Sequence, residues 1–360
     1  MENLLYSIGA AVIGLGLLIV FHEFGHFLLA KLSGVGVLTF SVGFGPKIWV
    51  KKRGETEYAL SAFPLGGYVK MIGEDPDEEV RPEDVERSFA HKSLLKRIAI
   101  VVAGPGFNLL LALFLLIGVF TFYGVPVMST QVSGVESGSP AAHAGILKGD
   151  QIQAIDGKPV KEWQELSTTI KSSGGKSLNV QVRRGNDVLT LTVQPTKREG
   201  HTIFGERKDD WIIGISSQVS VEKGNPGLAV VRAFYQTFDY AKVTLVALFK
   251  MISGDVSPRN IGGPILIAQM AGQQAQEGVG SFLAFLAVLS INLGVLNLLP
   301  VPVLDGGHLL FFLVEAVTRK PVELRYREMA QQVGICILAL LMIYAFYNDI
   351  VRFFEKQVGG

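Results

Sequence analysis

Four stretches of the chain carry almost no charge and are long enough to cross a bilayer. They run from Leu4 to about Lys31, from about Ile98 to Tyr123, from about Phe282 to Leu299, and from about Val333 to Tyr347. A hydrocarbon core about 30 Å thick needs roughly 20 apolar residues in a helix, so the fourth stretch draws on its flanks. Gly104-Pro105-Gly106 interrupts the second, and the third carries Asn292 and Asn297. Between the first two lies "KIWVKKRGETEYALSAFPLGGYVKMIG". Its short alternating runs, divided by Gly and Pro, predict β-hairpins. "GEDPDEEVRPEDVERSF" follows and reads as a solvated acidic loop.

From about Val127 to Val221 the long apolar runs give way to charged and turn-forming residues. "ESGSPAAHAGILKGDQIQAIDGKPV" reads as turn, short helix, turn, strand, turn, and "WQELSTTIKSS" has helical spacing. "SLNVQVRRGNDVLTLTVQP" is a hairpin around Arg184-Gly185-Asn186-Asp187. The segment predicts a compact soluble α+β domain of about 90 to 95 residues. Pro226 to Ser253 is apolar but broken by Arg232, Gln236, Asp239, Lys242 and Lys250. That pattern suits an amphipathic helix on the membrane surface better than a span.

Composition agrees with a membrane protein. Of 360 residues, 49% are hydrophobic and 18% charged, below the roughly 25% charged residues of a soluble domain. A net charge of +1 leaves no global basic field to attract nucleic acid. Cys336 is the one cysteine, so no intrachain disulfide forms. "MENLLYS" lacks the basic region of a cleavable signal peptide, and the first stretch reads as a retained span. Lys31, Lys47, Lys51, Lys52 and Arg53 follow the first span, Lys92, Lys96 and Arg97 precede the second, and Arg319, Lys320, Arg325 and Arg327 separate the last two. The positive-inside rule puts these loops in the cytoplasm, and both termini and the soluble domain outside.

"HEFGH", residues 22–26, closes the first apolar run. His22 lies roughly 27 Å along a helix from Leu4, inside the bilayer and toward its cytoplasmic face. His22 and His26, four residues apart, share one helix face and can grip one Zn²⁺. Glu23 can reach water that the metal activates and take its proton as general base. A solvated or ion-paired helix face is the bland alternative. At lipid depth it costs about 2.5–3.5 kcal/mol per ionisable residue, which weighs against it. A catalytic zinc usually takes three protein ligands. "NLLPVPVLDGGHLL", residues 297–310, offers Asp305 and His308. Pro300, Pro302 and Gly306-Gly307 break regular helix there, which is tolerated where backbone lines a protein cavity. Bringing Asp305 to His22 requires that Pro226–Ser253 not cross the membrane.

These motifs resemble the bacterial site-2 proteases, specifically the regulator-of-sigma-E protease type of intramembrane zinc metalloprotease. "FHEFGHF" at 21–27 resembles the family's first motif, and "NLLPVPVLDGGH" at 297–308 its second, in which the aspartate is the third ligand. "AGPGFN" at 103–108 resembles its Gly-Pro-x-x-Asn element, "FPLGGYVKM" at 63–71 its membrane-associated β-hairpin region, and "GSPAAHAGILKGDQIQAIDGKPV" a bacterial PDZ domain. The best-known members carry two PDZ domains, whereas this chain has room for one.

The resemblance implies a polytopic α-helical membrane protein with about four transmembrane helices, a β-hairpin region and one inserted extracytoplasmic α+β PDZ domain. Residues 1–126 would form the N-terminal membrane region, 127–222 the PDZ domain, and 223–360 the interfacial helix and C-terminal membrane region. It implies one zinc per chain on His22, His26 and Asp305, with Glu23 catalytic. The implied setting is the bacterial inner membrane, with the active site toward the cytoplasm. Implied substrates are single-pass membrane proteins already trimmed outside the membrane, of anti-sigma-factor type, and remnant signal peptides. Peptide C-termini are candidate PDZ ligands. Candidate substrate-binding residues are Gly66 and Gly67 on a strand edge, Asn260 and Pro264 in "SPRNIGGPI", and Asn292 and Asn297. For Gly66-Gly67 a plain turn is an equal alternative, and for the asparagines a helix-joining hydrogen bond. Two other functions stand beside the protease: a membrane-anchored PDZ scaffold with a structural metal site, and a transporter using His22, Glu23 and Asp305 as a relay.

Overall fold

The computed structural model describes residues 2–74, 80–201, 207–222 and 225–358. In chain order the elements are α1 (Glu2–Leu32), β1 (Val37–Arg53), β2 (Thr56–Met71), α2 (Leu94–Phe122), β3 (Val125–Val135), α3 (Pro140–His143), β4 (Gln151–Ile155), β5 (Lys158–Pro159), α4 (Trp163–Ser172), β6 (Leu178–Arg184), β7 (Asp187–Val193), β8 (Thr196–His201), β9 (Arg207–Ile212), β10 (Ile215–Glu222), α5 (Pro226–Ser253), α6 (Pro264–Glu277), α7 (Val279–Asn297), α8 (Asp305–Thr318) and α9 (Leu324–Val358). They divide into two compact units. The first comprises Met1–Val119, Val230–Leu248 and Pro258–Gly360; the second comprises Phe120–Ala229 and Phe249–Ser257.

Among the described residues, α1, α2, α7 and α9 are the helices long and apolar enough to cross a membrane. They coincide with the four apolar stretches of the sequence. The expected interruption at Gly104-Pro105-Gly106 is not a break, because α2 runs through Pro105. Where no water competes for backbone groups, a helix continues past a proline and neighbours satisfy the freed carbonyl. α5 is bounded by strong local signals. The Asn225 side chain accepts from the Leu228 amide at 3.1 Å, Pro226 opens the helix, and Gly254 closes it at φ +86°.

In the first unit, β1 and β2 are long bent strands that pair with each other in more than one register. Residues 39–42 pair with 67–70 on one side and with 57–60 on the other, and 47–53 pair with 56–61. The predicted hairpins therefore form one small sheet, with 67–71 as one outer row. Burial alternates along Val37, Thr39, Ser41 and Gly43. The buried Ser41 hydroxyl is within 3.0 Å of the Ser61 hydroxyl, as a half-buried strand requires of its polar groups. Of the acidic loop, residues 75–79 lie outside the described residues, and Pro82–Arg87 form a 3-10 turn.

Two helices of this unit, α6 and α8, carry no prediction from the sequence. The start of α6 is capped from a distant part of the chain. The buried Asp349 of α9 accepts hydrogen bonds from the amides of Gly263 (2.9 Å), Ile265 (3.0 Å) and Leu266 (3.1 Å). Asn348 donates to the Pro258 carbonyl at 3.2 Å, and Arg352 donates to the Arg259 carbonyl. A carboxylate thus meets the positive end of α6 and uses the amides that no helical carbonyl can.

The second unit has a sheet in the order β10-β3-β4-β6-β7, with β5 on β4 and a separate β8-β9 pair. The predicted short helix, strand, amphipathic helix and hairpin are α3, β4, α4 and β6-β7. Its core includes a cluster of Val132, Ile146, Ile152, Leu166, Val180, Val182 and Ile213. Asp150, 1% exposed, anchors the loop after α3. It accepts from Arg184 Nε and Nη2, both at 2.8 Å, and from the Leu147 amide at 2.9 Å. The Arg184 guanidinium holds the Asp150 carboxyl below the ordinary aspartate range.

Two outcomes follow from these buried carboxylates. Asp349→Ala leaves three amides without their acceptor and is expected to destabilise the chain by about 2–3 kcal/mol. Thermal unfolding of the detergent-solubilised protein checks this, with faster proteolysis within 258–264 as a second sign. Asp150 contributes stability that is fully present above the unfolded aspartate value of about 3.9. That contribution is lost as pH falls through the lower folded value. Denaturation followed by fluorescence of Trp163 and Trp211 should show an acid-limb loss that Asp150→Asn removes.

Candidate metal centre

The first unit brings together two histidines from one helix turn and an aspartate nearly three hundred residues later. His22 and His26 lie on one face of α1 and are 9% and 8% exposed. Asp305 is the first residue of α8, reached by a tight turn after α7 in which the Val301 amide bonds the Leu299 carbonyl at 2.7 Å. Gly306 is required there, because a methyl would overlap the carbonyl oxygens of Leu298 and Leu299. The α8 N-terminus favours a carboxylate at position 305.

His22 Nε2 lies 3.3 Å from His26 Nε2 and 3.2 Å from Asp305 Oδ2, and His26 Nε2 lies 3.4 Å from Asp305 Oδ1. Ligands at zinc distances of about 2.0–2.1 Å in a tetrahedron are themselves about 3.3–3.4 Å apart. The three donors fit such an ion by their separations. Among the described residues they form the one group of His, Cys, Asp and Glu with metal-ligand spacing.

α2 fixes both imidazoles from behind. His26 Nδ1 is 2.8 Å from the Ile100 carbonyl oxygen, to which it donates, and His22 Nδ1 is 3.1 Å from the Asn108 side-chain amide. Gly104 lies midway between these partners in sequence. A methyl on it would overlap His26 Nε2 and stand 2.9 Å from His22 Cε1. On α1, a methyl on Gly25 would overlap the Ala103 carbonyl. Small residues on both helices let the backbones close on each other, as membrane helix pairs do.

Glu23 faces the sheet rather than α2. A methyl on Gly67 would sit 2.8 Å from Glu23 Cγ and 2.9 Å from the Ser41 carbonyl oxygen. The absent side chain lets the outer strand run directly past Glu23. A cavity of about 930 Å³ opens here, lined by His22, Glu23, His26, Gly66, Gly67, Asn297, Asp305 and His308, and it reaches Arg97 and Arg327. Arg97 Nη1 donates to Glu315 Oε2 at 3.1 Å and its guanidinium stacks 5.0 Å from the Phe312 ring. This buried pair ties the start of α2 to the far end of α8.

A family model for "Peptidase family M50" matches residues 10–341. The chain belongs to peptidase family M50. This M50 peptidase is 31% identical to the regulator of sigma-E protease RseP of Salmonella typhimurium, over 98% of this chain and 100% of the relative. It is 37% identical to a protein of Rhizobium meliloti designated a candidate zinc metalloprotease, over 97% and 98%. It is a zinc metalloprotease of the site-2, RseP type. Solved structures similar to part of the chain are PDZ domains. One is that of HtrA3 bound to a phage-derived ligand (32% identity, 19% of this chain and 64% of that one, TM-score 0.18). Another is that of an SdrC-like protein of Listeria innocua (29%, 25% and 93%, TM-score 0.21).

The M50 peptidase places its sequence-predicted residues unevenly. Gly66, Gly67 and Asn297 line the metal-centre cavity with Glu23. Asn292 receives a hydrogen bond from the Thr244 hydroxyl at 2.7 Å and joins α7 to α5. Asn260 ends the 3-10 turn that α9 holds, and Pro264 opens α6 and is not among the residues that line the cavity. Sequence reasoning passed over Asn108 and Gly104 as site residues, although both lie in the "AGPGFN" segment it singled out. The second unit has its own groove of about 290 Å³, between Trp163, Leu166 and Ile170 of α4 and Trp211, Ile213 and Ile215. In Gly104→Ala the added methyl displaces the His26 ring. Zinc retained per chain after dialysis against a weak chelator should fall at least tenfold, with the helical circular dichroism unchanged.

Proposed function

We propose that the protein cleaves the transmembrane segments of single-pass membrane proteins, at one zinc held by His22, His26 and Asp305. One observation carries this reading: three donors with tetrahedral separations, two of them on a helix long and apolar enough to cross a bilayer, line one cavity with the Glu23 carboxylate. Bound zinc supplies a Lewis acid that polarises the scissile carbonyl and acidifies water. Glu23 takes the proton of the attacking water and later delivers it to the departing amine. Asn297, on the cavity wall, is a candidate donor to the developing oxyanion.

A transmembrane helix has all its backbone groups paired internally, so it must unwind before attack. The outer strand 67–71 offers its edge to the unwound segment, which adds as one more strand. Gly66 and Gly67 allow that backbone to come close to Glu23. The substrates in this reading are anti-sigma-factor-type proteins that a first protease has already trimmed, with remnant signal peptides as a second class, as the resemblance to regulator-of-sigma-E proteases implies. The PDZ-like unit lies on the extracytoplasmic side of the bacterial inner membrane, as do both termini, with the active site toward the cytoplasm. Basic residues flanking the spans support that orientation. The groove along α4 is suited to a peptide C-terminus exposed by the first cut.

Glu23→Gln keeps the metal ligands and removes the base. It is expected to retain zinc and lose cleavage of a fluorescent single-span peptide by about 10²–10⁴-fold. Unchanged cleavage in that variant, or full activity after zinc is stripped, would sink the reading.

A further inference from the structure

We infer that Asn108 is a positioning residue for His22, with its side-chain carbonyl accepting from His22 Nδ1–H and thereby fixing the tautomer that presents Nε2 to the metal. This rests on the proposed zinc role of His22. The Asn108 side chain is fully buried, its backbone carbonyl accepts from the Ser290 hydroxyl at 2.7 Å, and its amide reaches His22 Nδ1 at 3.1 Å.

The chemistry selects one orientation of that amide. His22 Nε2 faces Asp305 and His26 Nε2, so it is the nitrogen that offers a lone pair to a cation. A neutral imidazole that does so carries its proton on Nδ1. That N–H is buried and needs an acceptor, and Asn108 is its hydrogen-bond partner among the described residues. With the amide nitrogen toward that N–H two donors collide. A half-turn about the last side-chain bond exchanges the two atoms at no change in shape. The oxygen then meets the N–H, and the collision is gone.

His26 supports the same logic, because its Nδ1 donates to the Ile100 carbonyl at 2.8 Å. Both ligands are therefore oriented by oxygens of one helix, at positions 100 and 108, on either side of Gly104. Such outer partners commonly change metal affinity 10–100-fold when removed. A residue that only packed α2 against α1 and α7 would change folding and leave affinity alone.

The test is zinc affinity of the full-length detergent-solubilised chain by chelator competition, together with the absorption spectrum of the Co²⁺-loaded protein. Asn108→Leu keeps the size and loses the acceptor; it is expected to weaken zinc about 10–100-fold and to shift the Co²⁺ bands. Asn108→Asp can only accept from Nδ1–H; it is expected to hold zinc at least as tightly as the parent. Parent-like affinity in the leucine variant overturns the inference. So does a tenfold loss in the aspartate variant, which stands alone if the leucine variant does not fold. A parent chain that binds no zinc instead overturns the metal centre itself.

Discussion

The approach of α2 to α1 at Gly104 is the constraint on which the candidate metal centre depends. Two imidazoles must lie side by side with their Nε2 atoms 3.3 Å apart. Nothing larger than a hydrogen fits between those rings and the α2 backbone. The contact allows α2 to supply the Ile100 and Asn108 oxygens at one helix turn above and below. Gly25 makes the reciprocal concession on α1. In a bilayer such close packing replaces the hydrophobic effect that would hold these helices together in water.

The third donor is set by different means. Asp305 opens a helix rather than sitting within one, and the turn before it is compact enough to demand Gly306. α8 is then pinned at its other end, where Glu315 meets Arg97 and Arg97 covers Phe312. A rod held at both ends cannot swing its first residue out of the centre. The cavity between these anchors contains Glu23 and the strand edge at Gly67. Glu23 and an edge suited to an extended peptide are therefore neighbours in one cavity.

Much of this arrangement is legible in the residues. Apolar runs give the four long helices, because a bilayer demands length and lack of charge. His22, Glu23 and His26 announce their common face by spacing alone. Asp305 needs the second motif, and its meeting with the histidines cannot be read from periodicity. Helices α6 and α8 escape the pattern because each begins at a Gly-Pro or Leu-Asp-Gly-Gly junction that reads as loop. The cap on α6 comes from Asp349, more than eighty residues away. Asn108 and Gly104 are hidden for a related reason. A buried asparagine and a glycine in an apolar helix have many uses, and only the neighbour they touch decides among them. Asn292 shows the opposite case, a polar residue of an apolar helix whose partner is merely Thr244 of α5.

The residues of the metal centre and its cavity all belong to one of the two compact units, although the chain leaves that unit and returns to it. A site assembled this way is indifferent to what is spliced between its contributing segments. The chemistry can be inherited intact while the intervening module is lengthened, duplicated or exchanged. Diversity among such enzymes would then accumulate in the intervening unit, with the residues of the candidate centre held constant.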